Sequence, residues 1–293
     1  MQTATKKKPT VVDLQQAKYS GRKITMVTAY DYAFASIVDA VDIDIILVGD
    51  SGAMTTLGYE TTVPVSMEEM LIMARAVSRG ARNTFLIGDM PFLSYEVSVE
   101  KAVENAGRFL KEAGMDAVKL EGGRRMAPVV QAIVRAGIPV MGHIGLTPQS
   151  LSQLGGFRVQ GKDVESARAL VEDALALQEA GAFAVLVEAV PAPVGQMITE
   201  ALRVPTIGIG AGPHCDGQVL VLHDLLGLFE RFVPKFVKRY ADLGGAARDA
   251  LARFAREVRE GVFPAPEHCY GMKPEQAAEL RDHLVRAGLL KQG

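Results

Sequence analysis

The chain has 293 residues, enough for one large hydrophobic core, and its 48% hydrophobic and 23% charged residues are an ordinary globular mixture. Its 32 basic and 34 acidic residues leave a formal net charge of −2, so there is no electrostatic case for a nucleic-acid partner or an anionic membrane surface. No apolar stretch is long enough to span a bilayer, the start MQTATKKKPT lacks an apolar signal core, and Cys215 and Cys269 lie outside any metal-binding spacing, so the expectation is a cytoplasmic chain with free thiols and no membrane partner.

From the amino terminus, short β-rich apolar runs alternate with longer stretches of helical period. The predicted strands are Ile24–Tyr30, Ile45–Asp50, Phe85–Met90, Ala117–Gly122, Pro139–Gly145, Ala184–Val190 and Thr206–Gly212, with an eighth at Phe236–Tyr240, which is short and basic. A helix ending at Gly80 groups Met70, Met73, Ala74 and Val77 on one face. A second begins at Ser98 as N-cap, carries Glu100 in its first turn and ends at Gly114; a third runs from Asp163 to Gly181. An Ala-Gly pair ends a helix just before a strand at Gly114, Gly137 and Gly181, as a repeated βα unit would.

Near-continuous Val/Ile/Leu strands are those of a parallel sheet covered on both faces. Repeated through one chain of this length, they predict an α/β fold of the closed (β/α)₈ TIM-barrel type, a single barrel domain over residues 1–293. An open doubly wound sheet would announce a nucleotide site with glycines after its first strand, where this chain has Thr28-Ala29-Tyr30-Asp31. Gly208, Gly210 and Gly212 follow the seventh strand without a helix signature, which favours a close backbone turn over a phosphate cradle. Outside the barrel pattern lie an N-terminal extension (about 1–22), a polar loop at Leu146–Lys162, and a C-terminal accessory segment (about 262–293) with a helical pattern from Pro274 to Leu290.

Charged residues recur where these strands end. Asp50 and Asp89 end the second and third, Lys119 and Glu121 share a face of the fourth, His143 lies on the fifth and Glu188 ends the sixth. One such residue is ordinarily a cap or a turn residue; several in register at the end where barrel active sites form predict a shared site. Asp50, Asp89 and Glu121 are hard oxygen donors that would repel one another without a cation, which favours Mg²⁺ over Zn²⁺. A 2-oxo acid would supply further oxygens, Lys119 would neutralise its carboxylate or a developing enolate, and Glu188 would be the general base. His143 either hydrogen-bonds the substrate or is structural, and Ser51 either donates to a bound carboxylate or caps the following loop.

At these residues the chain resembles the ketopantoate hydroxymethyltransferase family. The matching segments, in order, are TAYDY (Thr28–Tyr32), LVGDS (Leu47–Ser51), DMPF (Asp89–Phe92), VKLEGG (Val118–Gly123), GHIGLTPQS (Gly142–Ser150), GGFRVQG (Gly155–Gly161), GIGAG (Gly208–Gly212) and DGQVLV (Asp216–Val221), followed by His223-Asp224. The resemblance implies a barrel of the phosphoenolpyruvate/pyruvate type that transfers a hydroxymethyl group from 5,10-methylenetetrahydrofolate to 3-methyl-2-oxobutanoate in pantothenate biosynthesis. It implies one Mg²⁺ per subunit on Asp50, Asp89 and Glu121, the last directly or through water. It further implies contacts from Asp50, Ser51, Asp89 and Lys119 to the oxo acid, Glu188 as proton acceptor, and a homo-oligomer, typically a decamer. The competing expectations are a Mg²⁺-dependent oxo-acid lyase or mutase of the same superfamily, a Schiff-base aldolase using Lys119, and a binding barrel with a decayed site.

Overall fold

The apolar runs pair in parallel and in sequence order until the eighth strand meets the first, closing a barrel of eight strands. The computed structural model describes residues 7–150, 156 and 158–291. The strands are β1 (Ile24–Thr28), β2 (Ile45–Val48), β3 (Phe85–Asp89), β4 (Ala117–Glu121), β5 (Val140–Gly145), β6 (Ala184–Glu188), β7 (Thr206–Ile209) and β8 (Gly217–Leu220). The principal helices before Asp242 are α1 (Val11–Ser20), α2 (Tyr32–Asp39), α3 (Met67–Gly80), α4 (Val99–Ala113), α5 (Ala127–Arg135), α6 (Val164–Glu179) and α7 (Ala192–Ala201). The chain divides into two compact units, Met1–Asp242 and Leu243–Gly293. The second carries α8 (Leu243–Arg259) and α9 (Pro274–Arg286), the latter where the C-terminal helical pattern was expected.

Local chemistry sets the helix ends. Ser66 and Glu69 form a reciprocal capping box at α3, and Asp163 and Ser166 form one at α6. Ser98 caps α4, which ends on Gly114 in the left-handed region at φ 67°. Met70, Met73, Ala74 and Val77 of α3 are all buried, as their spacing predicts.

Alternation along each strand divides the core in two. Ile46 and Val48 of β2, Leu86 of β3, Val118 and Leu120 of β4 and Val185 and Val187 of β6 point outward into the layer under the helices. Ile45, Leu47, Phe85, Ile87, Ala117, Met141, Ala184, Leu186, Ile207 and Ile209 fill the barrel interior. Leu14 and Ala17 of α1 join that inner cluster beside residues that begin strands, so the N-terminal extension plugs the amino-terminal end of the barrel. Gly88 admits Phe109 of α4 against the sheet, where any Cβ would collide with the ring.

The eighth strand is not at Phe236–Tyr240. It is Gly217–Leu220, paired through Ile207↔Gly217 to β7 and Ile24↔Gly217 to β1. A Cβ at Gly217 would clash with the Ile24 carbonyl and the Ile207 side chain, so the strand starts on a turn-like residue and then exposes Gln218. Its composition hides it, whereas FVKRY has strand composition without a ladder; Phe236 packs against the barrel interior instead. Of the predicted loop at 146–162, residues 151–155 and 157 lie outside the described residues, as do Gly155 and Phe157 of the GGFRVQG segment. Among the described residues no helix is long and apolar enough to cross a membrane.

Candidate active site

The inward column of each central strand is apolar at its start and charged at its carboxyl end. Phe85 and Ile87 lead to Asp89, Ala117 leads to Lys119 and Glu121, Met141 leads to His143, and Ala184 and Leu186 lead to Glu188. The ladder sets Asp89 opposite Lys119, Glu121 opposite His143, and Gly145 opposite Glu188. Asp50 lies two residues beyond β2, after Gly49, and its backbone N–H donates to Asp89 Oδ2 at 3.1 Å. All six side chains line a cavity of about 330 Å³ at this end of the barrel, as does Ser51.

Within the cavity the charges interlock. Lys119 Nζ lies 2.7 Å from Asp89 Oδ1 and 3.8 Å from Glu121 Oε1. His143 Nδ1 lies 3.3 Å from Lys119 Nζ and 3.4 Å from Glu121 Oε1, while its Nε2 lies 3.3 Å from Glu188 Oε2. Ser51 makes no side-chain cap; its Oγ lies 2.8 Å from the Tyr30 hydroxyl. Ala189, directly after Glu188, is held at φ 48° while its N–H donates to Ile209 O at 2.8 Å, a backbone strain of the kind that collects at functional sites.

Burial and like charge set the protonation states. Burial, with Asp89 and Glu121 nearby, pushes the Asp50 carboxyl up to about 8. Burial also raises Asp89, against the pull of Lys119. Burial acts to lower Lys119, but the charges of Asp89, Glu121 and Asp50 overcome it and hold the ammonium above its ordinary value. Burial and Lys119 act to lower His143, yet Glu121 and Glu188 bring it up to about 9. Burial acts to raise Glu121, and the hydrogen bond and charge of His143, the charge of Lys119 and the Gln149 N–H together outweigh it, leaving the carboxylate below its ordinary value.

Two residues that strand-end reasoning missed organise this cluster. Gln149 is buried; its Nε2 donates to Asp50 Oδ2 at 2.9 Å and to Met90 O at 3.0 Å, and its backbone N–H donates to Glu121 Oε2 at 3.0 Å. The Tyr95 hydroxyl donates to Gln149 Oε1 at 2.6 Å and accepts from the Glu121 N–H at 3.2 Å. Tyr95 sits in a loop and Gln149 in the short 3-10 turn Pro148–Ser150, and nothing in a lone glutamine or tyrosine signals such a role; Gln149 stood only inside the GHIGLTPQS segment.

The donor set suits a hard cation. Asp89 Oδ1, Glu121 Oε1 and His143 Nε2 are buried and, among the described residues, are met only by the ion-pair contacts of this cluster, in which the carboxylates outnumber the cations. Among the described residues, however, no three His, Cys, Asp or Glu side chains are spaced to hold one ion by themselves. Mg²⁺ needs only one or two protein carboxylates, with water and substrate completing its octahedron. Asp50 and Asp89 fit that role. Both Glu121 oxygens face other partners, Gln149 on one side and His143 and Lys119 on the other, which fits a water-mediated contact better than direct ligation.

The sequence profile described as ketopantoate hydroxymethyltransferase matches residues 8–266. A protein of Heliobacterium modesticaldum named 3-methyl-2-oxobutanoate hydroxymethyltransferase is 59% identical over 269 residues, 92% of this chain and 98% of that one. A protein of the same name from Syntrophus aciditrophicus is 55% identical over 271 residues, 92% of this chain and 100% of that one. Among solved structures, a phosphonopyruvate hydrolase complex with oxalate and Mg²⁺ superposes with a TM-score of 0.59 at 17% identity, covering 96% of this chain and 99% of the other. A 2,3-dimethylmalate lyase of the PEP mutase/isocitrate lyase superfamily superposes at 0.57 and 15% identity, covering 95% and 97%. At that identity the likeness is one of fold.

Proposed function

The chain belongs to the ketopantoate hydroxymethyltransferase family, and on that footing we propose that it converts 3-methyl-2-oxobutanoate, 5,10-methylenetetrahydrofolate and water into 2-dehydropantoate and tetrahydrofolate, the reaction that opens pantothenate biosynthesis. The observation that carries the reading is the buried group in which Asp50 and Asp89 meet beside Lys119 at the carboxyl end of the strands. Asp50 and Asp89 would hold Mg²⁺, with Glu121 acting through water. When bound, the ion supplies Lewis acidity that makes the C3 hydrogen of a 2-oxo acid easier to remove.

The chain's own groups do the rest. Lys119, held as an ammonium, faces the carboxylate of the oxo acid and offsets the negative charge that develops next to it. Ser51 donates to the same substrate from the edge of the cavity. Glu188 takes the C3 proton, and His143, shared between Glu121 and Glu188, fixes the position of that base. The new carbon–carbon bond forms between C3 and the methylene carbon of the folate; water provides the hydroxyl oxygen, and the folate leaves reduced and unsubstituted.

A Schiff-base aldolase needs a neutral lysine, and the acids around Lys119 hold it charged, which weighs against that alternative. An oxo-acid lyase or mutase shares the fold, but relatives 54–59% identical over most of the chain carry the transferase name. A homo-oligomer, a decamer by family resemblance, is the assembly we infer. The second unit supports it, since neither α8 nor α9 buries a residue and Leu251, Phe254 and Val258 are exposed along one side of α8. We place the enzyme in the cytoplasm, in keeping with its free thiols. The test is product analysis with 3-methyl-2-oxobutanoate and methylenetetrahydrofolate: 2-dehydropantoate should form with Mg²⁺ and not after chelation. Formation of the product in EDTA would refute the metal-dependent reading.

A further inference from the structure

The cavity reaches well past the charged cluster. Its other half is lined by Met54, Thr62, Asp224, Phe229, Phe232 and Phe236. A five-carbon oxo acid anchored at Asp50, Asp89 and Lys119 leaves this half open. A cavity of about 330 Å³ is at the lower end of those that hold drug-sized ligands, roughly 300–1,000 Å³.

Two polar groups in that half have an atom with no hydrogen-bond partner among the described residues, although the charge of Arg239 acts on Asp224. Asp224 is 7% exposed, and its Oδ1 is buried without a hydrogen bond. Thr62 is 3% exposed, and its Oγ1 is in the same condition. A buried carboxylate oxygen left bare is costly unless a donor meets it, and folds rarely retain one without use. Asp224 stands in the single helical turn Leu222–Leu225 directly after β8, at the same end of the barrel as the charged cluster. The aromatic segment reaches over to the Thr62 side, because Arg231 Nη1 donates to Gly58 O at 3.3 Å and to Tyr59 O at 3.5 Å. A ligand suited to this half would offer an apolar face to the phenylalanines and N–H donors to Asp224.

We propose that this half of the cavity seats the reduced pterin of the one-carbon donor, with Asp224 accepting the paired N–H donors of its 2-aminopyrimidinone edge. The inference rests on the reading that the donor is a folate. The 2-amino group and the ring N3–H present two parallel donors, which a carboxylate can accept together with one on each oxygen. Phe229, Phe232 and Phe236 pack against the ring system, and Thr62 Oγ1 serves a further polar atom of it. Arg158 and Lys235 line the same cavity and provide cations for the carboxylates of the folate's glutamate tail. Burial pushes the Asp224 carboxyl up to about 6, so it is ionised and an acceptor at neutral pH and above.

Calorimetric titration with tetrahydrofolate tests the assignment. Asp224→Asn replaces one acceptor oxygen by a donor and should weaken tetrahydrofolate binding at least tenfold. Phe232→Ala, at a side chain 54% exposed and so tolerable for folding, should weaken it several-fold. Mg²⁺-dependent binding of 3-methyl-2-oxobutanoate should stay within twofold of wild type in both. Wild-type tetrahydrofolate affinity in Asp224→Asn would overturn the proposal, and so would an equal loss of oxo-acid affinity, which would move Asp224 to the other substrate. Product formation by the wild-type enzyme with methylenetetrahydrofolate checks the donor itself, so failure of that reading is distinguishable from a misplaced pterin.

Discussion

Asp50 sits among buried acids, and at neutral pH burial keeps a proton on it. Placing a cation on that carboxylate therefore expels the proton. Mg²⁺ affinity should rise with pH up to about 8, and calorimetric heats near pH 7 should vary with the buffer's ionisation enthalpy. A pH-independent affinity would count against Asp50 as a ligand. The same shifts set the stability of the metal-free protein. Asp50 is raised from 3.8 to about 8 and His143 from 6.5 to about 9, so in both windows the folded state binds more protons than the unfolded one. Metal-free stability should then fall as pH climbs from about 6.5 to 9, with saturating Mg²⁺ reducing the fall; melting curves across that range would show it.

At this scale the sequence was readable where a charge interrupted an apolar strand. Asp50, Asp89, Lys119, Glu121, His143 and Glu188 break their strands' hydrophobic pattern, and alternation then puts them on the inner face. Gln149 and Tyr95 break no pattern. Their hydrogen bonds to Asp50 and Glu121 arise from loops folding over the barrel rim, which local sequence does not encode.

Among the elements, strands and long capped helices were legible because one period ran through each. The helices α2, α5 and α7, of 8, 9 and 10 residues, are too short for their period to stand out from the loops around them. The last strand was lost for the opposite reason: its place is fixed by closure with β1 and β7, a constraint that exists only in three dimensions. Closure also gives α1 its work, since an open amino-terminal end would leave the inner cluster wet. Leu14 is 1% exposed there, so Leu14→Ala should cost about 2–5 kcal/mol in denaturant unfolding. The proton-exchange rate of the folded enzyme should be unchanged, because the charged cluster lies at the other end of the strands. A loss below about 0.5 kcal/mol, the range of ordinary surface substitutions, would show that α1 does not seal the barrel.

Taken whole, the molecule combines a barrel whose sequence announces it with a second unit whose purpose the sequence does not. Leu251, Phe254 and Val258 of α8 stay exposed although Phe254 meets the Phe263 ring edge-on, and a stripe of that kind fits burial between subunits. Sedimentation at micromolar protein should therefore give a multiple of 31.4 kDa, and Phe254→Glu should reduce it. A wild-type monomer would remove the second unit from that role. The proton removal proposed for the barrel can be followed without any folate. In deuterated water, NMR should show the C3 hydrogen of 3-methyl-2-oxobutanoate exchanging when enzyme and Mg²⁺ are both present. Exchange should stop on chelation and be slowed at least a hundredfold in Glu188→Gln, in line with the roughly 10²–10⁴-fold that a positioned general base contributes. Exchange that survives EDTA, or that proceeds at the wild-type rate in Glu188→Gln, would contradict the account.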